Sequence, residues 1–250
     1  MKNLVLLLTV FITASMAPPK LFPRPPVGNG EVAEYKTVVK GEERQTRGWS
    51  AQTAKRYQPA EWTQSVRVTG DEIVWTRSEK LEGGGRRVMK CVMRGKSRIK
   101  AISWTDTFYS PAGKQETKIE QNFTDPSLKY PADMIPMFIL PFLLRGADLN
   151  DGLIHEARFW HNPMSFSRGT WRVLGKKTIT VPAGKFECYE VEAHILIDEA
   201  GLIARTLQRM LPKLYYYIDV NPPHSMVRFQ IQIPGREMIC NELVKFTPGK

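Results

Sequence analysis

Val227-Arg228-Phe229-Gln230-Ile231-Gln232-Ile233 alternates apolar and polar side chains without a break. Successive side chains of an extended chain point to opposite faces, so this spacing marks a strand with one face on a core. The same period-two spacing recurs on both sides. Upstream it reads as strands over Ile154 to His161, Gly169 to Leu174, Lys177 to Val181, Phe186 to Ile197 and Leu214 to Val220; downstream it continues in Glu237 to Phe246.

The first half of the chain repeats the pattern. Strands are expected over Glu31 to Lys40, Glu61 to Thr69, Asp71 to Arg77, Arg86 to Arg94, Arg98 to Phe108 and Lys114 to Phe123, with Trp62, Val66 and Val68 sharing one side. In the last of these Ile119, Gln121 and Phe123 alternate with Lys118, Glu120 and Asn122, as in a half-solvated antiparallel strand. Gly83-Gly84-Gly85 and Pro111-Ala112-Gly113 supply turn chemistry between strands. The triple glycine lacks the strand-loop-helix context and the Gly-Lys-Ser/Thr of a phosphate loop. The fold is therefore mainly β and antiparallel.

Two stretches depart from alternation. From Thr124-Asp125-Pro126-Ser127 to Leu144 the chain is apolar without period two, and one or two short helices broken at Pro136 and Pro141 are expected. Ala200 to Leu211 spaces Ile203, Leu207 and Leu211 four apart, which fits one further helix.

The N-terminus has its own logic. Lys2 precedes the apolar run Leu4 to Ile12, and small residues Ser15 and Ala17 precede Pro18. This is the three-part pattern of a secretory signal peptide over residues 1–17, cleaved after Ala17. The run is shorter than the ~20 apolar residues a membrane span needs, and so is Met134 to Leu144. No cysteine lies near the cleavage point, so the mature protein is expected soluble and not lipidated, in the periplasm. Residues 18–30, with Pro18, Pro19, Pro23, Pro25 and Pro26, form a proline-rich leader. Residues 31–250 then make one antiparallel β domain, for which the 42% hydrophobic content is ample.

Removing Lys2 with the signal takes the formal charge from +11 to +10. A basic balance favours anionic partners, and export argues against nucleic acid. Arg94, Lys96, Arg98 and Lys100 occupy alternate positions, with Arg86 and Lys90 upstream in the same parity. In an extended chain they would line one side of the sheet and meet an anionic membrane surface peripherally; a merely solvated basic face is the alternative.

At Thr178-Ile179-Thr180-Val181-Pro182-Ala183-Gly184-Lys185-Phe186-Glu187-Cys188-Tyr189-Glu190-Val191 the chain resembles the domain-of-unknown-function 3108 (DUF3108) family of exported bacterial proteins. Flanking features agree: Leu144-Arg145, Gly175, Tyr215-Tyr216-Tyr217-Ile218, Pro223-His224-Ser225-Met226-Val227 and Glu242-Leu243. The resemblance implies a strongly curved antiparallel sheet, a half-barrel, with one to three short helices packed on the concave face, similar to the lipoprotein-carrier (LolA/LolB-like) fold. It implies no activity. The polar loop Arg44 to Pro59 is longer than the family pattern.

Chemistry-bearing motifs are sparse. There is no Gly-x-Ser-x-Gly, His-Glu-x-x-His, Cys-x-x-Cys or dinucleotide fingerprint, and no cofactor is expected. His155 and His161 share a face but lie about 20 Å apart on an extended strand, too far to share a metal. Glu190 and Glu192 share a face and would serve acid/base chemistry only if burial raised a pKa. Cys91, Cys188 and Cys240 allow one disulfide plus a thiol, or three buried thiols.

Met134, Met137, Phe138, Leu140 and Phe142 sit among prolines in a segment with more apolar surface than one helix face needs. Adaptable methionine and aromatic side chains suit a lid over an apolar cavity that binds a lipid or acyl chain. A simple plug of the concave face is the other reading. The functional expectation is a non-enzymatic periplasmic binder of an apolar ligand. An envelope protein-interaction module, working through strand edges or the Arg44 to Pro59 loop, is an alternative. A hydrolase of envelope polymers, which would need His155 or His194 clustered with Glu190, is a third.

Overall fold

The computed structural model describes residues 21–40, 59–127, 131, 133–150, 152–162, 165–196, 211–232 and 238–250. The signal-like segment, most of the Arg44 to Pro59 loop and the helix expected over Ala200 to Leu211, save its last residue, lie outside them.

The elements are β1 (Phe22–Pro23), β2 (Glu31–Lys40), β3 (Pro59–Thr69), β4 (Glu72–Leu81), β5 (Arg86–Arg94), β6 (Arg98–Tyr109), β7 (Gln115–Asn122) and β8 (Met134–Pro136). A 3-10 turn (Met137–Ile139) and α1 (Leu140–Leu144) follow. The chain then runs through β9 (Ile154–Asn162), β10 (Ser165–Val181), β11 (Gly184–Leu196), β12 (Lys213–Asp219), β13 (Met226–Gln232) and β14 (Met238–Thr247).

They form one curved sheet that does not close into a barrel, in the order β1-β6-β5-β4-β3-β2-β14-β13-β12-β11-β10-β9-β8, with β7 also on β6. Two antiparallel meanders are joined where the first long strand meets the last, β2 on β14. The chain ends reinforce this join, because Asn29 and Lys250 exchange both backbone hydrogen bonds. Among the described residues the one parallel pairing is β8 on β9.

Curvature comes from register shifts. Two predicted strands, Gly169 to Leu174 and Lys177 to Val181, are a single long strand that bulges between Val173 and Gly175. Gly175 has φ 144°, a conformation closed to most side chains, so the extra residue is absorbed without breaking the pairing to β11. The strand bends and its Pro182-Ala183-Gly184 turn reaches back over the sheet. There the Ala183 amide donates to the Leu243 carbonyl of β14.

That return changes the environment of the stretch that first signalled the fold. Val227 and Tyr216-stacked Phe229 do face the concave core. Yet Gln230, on the opposite face, is also buried, and Arg228 donates to the Thr180 carbonyl of β10 and pairs with Glu242. Arg228 and Gln230 of the polar half are thus engaged or buried, while Gln232 stays exposed.

Two further segments differ from expectation. Thr124 to Ser127 form turns, held by Asn122 Oδ1 accepting from Thr124 and Asp125 Oδ1 from Ser127, with no helix among the described residues. Met134–Pro136 is a strand because a residue before proline avoids helical geometry. The proline-rich segment also joins the fold. Phe22 is buried, and the Arg24 guanidinium donates to the carbonyls of Gly95, Asp71 and Gly70, tying two hairpin turns together.

The lid ends in a buried ion pair. Both oxygens of Glu31, at the start of β2, accept from the Arg145 guanidinium just beyond α1, and both side chains are 2% exposed. Arg145 Nε also donates to the Pro223 carbonyl and Nη2 to the Pro26 carbonyl. A buried charge left without its partner costs about 3–5 kcal/mol. Arg145→Met is therefore expected to lose that much in urea denaturation. The pair Glu31→Leu with Arg145→Met is expected to lose clearly less than the two single changes added together.

Candidate functional site

The concave face is assembled from inward-pointing positions of neighbouring strands. On β4 these are Ile73, Trp75, Arg77, Glu79 and Leu81, all buried. On β5 they include Arg87, Met89, Cys91 and Met93. The segment from β8 to α1 lies across them. Its Met134, Ile135, Ile139, Leu140, Phe142, Leu143 and Leu144 are all buried, while Met137 and Phe138 are only partly so.

Phe138 is one end of an aromatic ladder centred on Trp104. It stacks on Trp104 at 6.2 Å, and Trp104 stacks on Trp75 at 6.1 Å. Trp160 of β9 meets Trp104 edge-on and is itself met edge-on by Phe123. The Arg87 guanidinium lies 4.9 Å from the centre of the Phe138 ring. At the other end of this segment Met134 and Ile135 border a narrow crevice shared with Phe22 and Ile99. This crevice is the seam at which the sheet stays open, between β8 and the β1 and β6 edge.

Charged side chains also point inward, which the sequence reading missed. Arg87 makes a two-pronged pair with Asp106 at 2.9 and 2.6 Å. Arg77 meets Glu79 at 2.6 Å, and Arg87 reaches the other Glu79 oxygen at 3.7 Å. The Arg77 guanidinium lies 3.8 Å over the Trp62 ring, which stacks on Tyr35 on its other side. Trp62 Nε1 and Thr37 Oγ1 both donate to Asn241 Oδ1, and the Tyr35 hydroxyl donates to the Met226 carbonyl.

These groups titrate as a dry interior dictates. Burial pushes the hydroxyls of Tyr35 and Tyr216 well above the usual phenol range and lowers Arg77. For Arg87 burial opposes the charge, but the hydrogen bonds and charge of Asp106 outweigh it and raise the pKa. The signal was present in Ile73, Trp75, Arg77, Glu79 and Leu81, where charges share parity with tryptophan. Period two alone does not say which parity faces inward.

The other expected groups fall as follows. Arg94, Lys96, Arg98 and Lys100 are exposed, but not along one extended chain, because Gly95 to Ser97 form a hairpin turn. Gly95 takes φ 149°, and a side chain there would overlap the Arg98 carbonyl. Arg94 and Lys100 become cross-strand partners on the outer face, with Arg94 paired to Glu72 and Arg98 donating to the Leu21 carbonyl. The basic group survives as a hairpin tip.

Glu190 and Glu192 do share a face, but Glu190 accepts from the Tyr217 hydroxyl and Lys177, and His194 meets Glu192 at 3.1 Å. Burial would raise Glu192, but the hydrogen bonds and charges of His194 and Arg172 prevail and hold it below the usual range. That is the reverse of what a general acid needs. His155 stacks on Trp171 at 4.0 Å. Among the described residues no group of three or more His, Cys, Asp or Glu is arranged to hold a metal.

No protein-family model and no curated protein matches the chain. Among solved structures it is similar to a β-barrel-like protein of the domain of unknown function DUF1849 from Brucella abortus, at 9% identity over 92% of this chain and 99% of that one, with a TM-score of 0.42. A protein with a YmcC-like fold from Bacteroides fragilis is 14% identical over 91% and 100%, TM-score 0.37. The Mycobacterium tuberculosis lipoprotein LppX is 11% identical over 88% and 87%, TM-score 0.30.

Cys91, Cys188 and Cys240 are all buried. Burial pushes Cys91 far up and Cys188 up to about 12, the latter with help from Asp219. The thiolate is the reactive form. Iodoacetamide at pH 8 should therefore leave all three unmodified in the folded protein and label all three in guanidinium chloride, as read by intact mass.

Proposed function

We propose that this chain is an exported, non-enzymatic protein that holds an apolar ligand, a lipid or acyl chain, against its concave face beneath residues Met134 to Leu144. Export rests on the signal-like residues 1–17, and the Pro-Ala-Gly hairpin keeps the resemblance to the DUF3108 family as a working relationship. The observation that carries the ligand reading is the way the lid is held. Its ends are fixed, by β8 on β9 and by Arg145 on Glu31, while the intervening Met137 and Phe138 are only partly buried and Phe138 rests on the indole of Trp104.

Magnitudes define what opening requires. Burying one large apolar side chain is worth about 1.5–3 kcal/mol, so exposing the whole underside of the lid to water costs on the order of 10–20 kcal/mol. A sixteen-carbon chain returns about 0.8 kcal/mol per buried methylene, roughly 13 kcal/mol. The lid therefore opens onto a ligand, not onto water. Met137, Phe138 and Leu140 move first, and Phe142 to Leu144 stay with the Arg145 anchor.

An interaction module is the second reading, favoured by Ile154 and Leu174, which are 65% and 46% exposed near the β9 edge of the sheet. The basic hairpin tip of Arg94, Lys96, Arg98 and Lys100 suits peripheral contact with an anionic membrane in either reading.

Two measurements test this. Native mass spectrometry of protein purified from its own envelope is expected to show the chain beginning at Pro18 with a stoichiometric lipid, and Phe138→Asp is expected to lose the lipid while the fold is kept. Bare protein of the mature mass would overturn the carrier reading in favour of the interaction module. Co-sedimentation with phosphatidylglycerol vesicles is expected to fall at least several-fold on Arg94→Glu, Lys96→Glu and Arg98→Glu together. Unchanged sedimentation would remove the membrane contact.

A further inference from the structure

The inward face of β4 leaves hydrogen-bonding capacity unused. Trp75 Nε1, Arg77 Nε and Glu79 Oε2 are buried and have no hydrogen-bond partner. Trp75 and Glu79 are 1% exposed and Arg77 8%, and the three occupy alternate positions of one strand on the same side. An unmade hydrogen bond at a buried polar atom costs about 1–3 kcal/mol. Three such atoms on one face of one strand, beside the Arg87 guanidinium and Trp104 indole on which Phe138 rests, are therefore arranged for something that supplies one acceptor or two and at least one donor.

The charge balance restricts what that is. The guanidinium groups of Arg77 and Arg87 are matched by the carboxylates of Glu79 and Asp106 within 2.6 to 3.7 Å. An anionic headgroup would bring an uncompensated charge into a dry cluster, beside the Glu79 oxygen that needs a donor, and a cation would face two guanidinium groups. A neutral group with both hydroxyl donors and oxygen acceptors satisfies all three atoms at no cost in charge.

The geometry points to a polar subsite at Trp75, Arg77 and Glu79, next to the Trp104 and Arg87 side chains that carry Phe138, that takes the hydroxyl-bearing end of an uncharged amphiphile such as a monoacylglycerol or long-chain alcohol. This rests on the apolar-ligand reading above and deepens it, by assigning the ligand an uncharged head that enters first. The Trp104 indole, stacked between Trp75 and Phe138, forms the apolar wall along which the first methylenes lie.

The test uses delipidated full-length mature protein and follows tryptophan fluorescence with three probes: 1-monooleoylglycerol, oleate at pH 8 and the apolar dye N-phenyl-1-naphthylamine. Monooleoylglycerol is expected to bind at least tenfold tighter than oleate. Trp75→Phe, which removes the indole N–H together with the five-membered ring and keeps one aromatic ring, should weaken monooleoylglycerol about five- to tenfold and the dye by no more than about twofold. Glu79→Gln leaves the cluster one positive charge in excess and should tighten oleate at least tenfold. Circular dichroism melts verify that both variants are folded, and either variant alone suffices for the test. Equal affinity for monooleoylglycerol and oleate, or a Trp75→Phe variant that binds all three probes like the parent, overturns the subsite while dye binding leaves the apolar site standing. Failure of all three probes to bind the parent protein overturns both.

Discussion

The pairing of Arg145 with Glu31 is the constraint on which the arrangement depends. One guanidinium gathers the end of the lid helix, the start of β2, the proline-rich segment at Pro26 and the turn at Pro223. These segments are separated by up to about two hundred residues of sequence. A buried ion pair is seldom a net gain over well-packed apolar groups, but it is intolerant of misplacement, because either partner alone is a buried charge. Its value here is positional: it sets where the lid ends relative to the join between the two meanders.

The second organising feature is the long β10–β11 hairpin. Its bulge at Gly175 lets the strand bend until the Pro-Ala-Gly turn docks on β14. The C-terminal half of the sheet thereby covers part of its own outer face, where Cys188, Cys240 and the Tyr217, Glu190 and Gln230 hydrogen bonds are enclosed. The N-terminal half has no such cover in its described strands, and its outer side carries the exposed Arg94, Lys96 and Lys100. The two halves therefore meet their surroundings differently while sharing one concave face.

Much of this was legible in the sequence, and the reasons it was not all legible are physical. Period two located almost every strand, since alternation is a local property. It failed at Gly175, where one residue in a left-handed conformation fuses two apparent strands, and at Gln230, where a distant hairpin buries a polar residue that local logic places in water. The lid was visible as an apolar run crowded with prolines. Its polar neighbours were not, because Arg77, Glu79, Arg87 and Asp106 read as ordinary charged strand residues until three neighbouring strands bring their inward positions together. Arg145 was flagged only as part of a resemblance; its pairing with Glu31 spans a separation no periodicity reports.

The concave face is thus divided into parts with different tolerance for change. Under Leu143 and Leu144 it is apolar against apolar and locked by the Arg145 anchor, so movement there exposes hydrocarbon with nothing to replace it. Under Phe138 it is aromatic and charged, and a flat ring over a guanidinium is a contact worth only about 0.5–2 kcal/mol. The weakest cover lies over the most demanding chemistry. A half-satisfied polar cluster is a poor way to stabilise a core and a good way to discriminate among molecules that enter it, because its unmade hydrogen bonds reward only a partner that completes them.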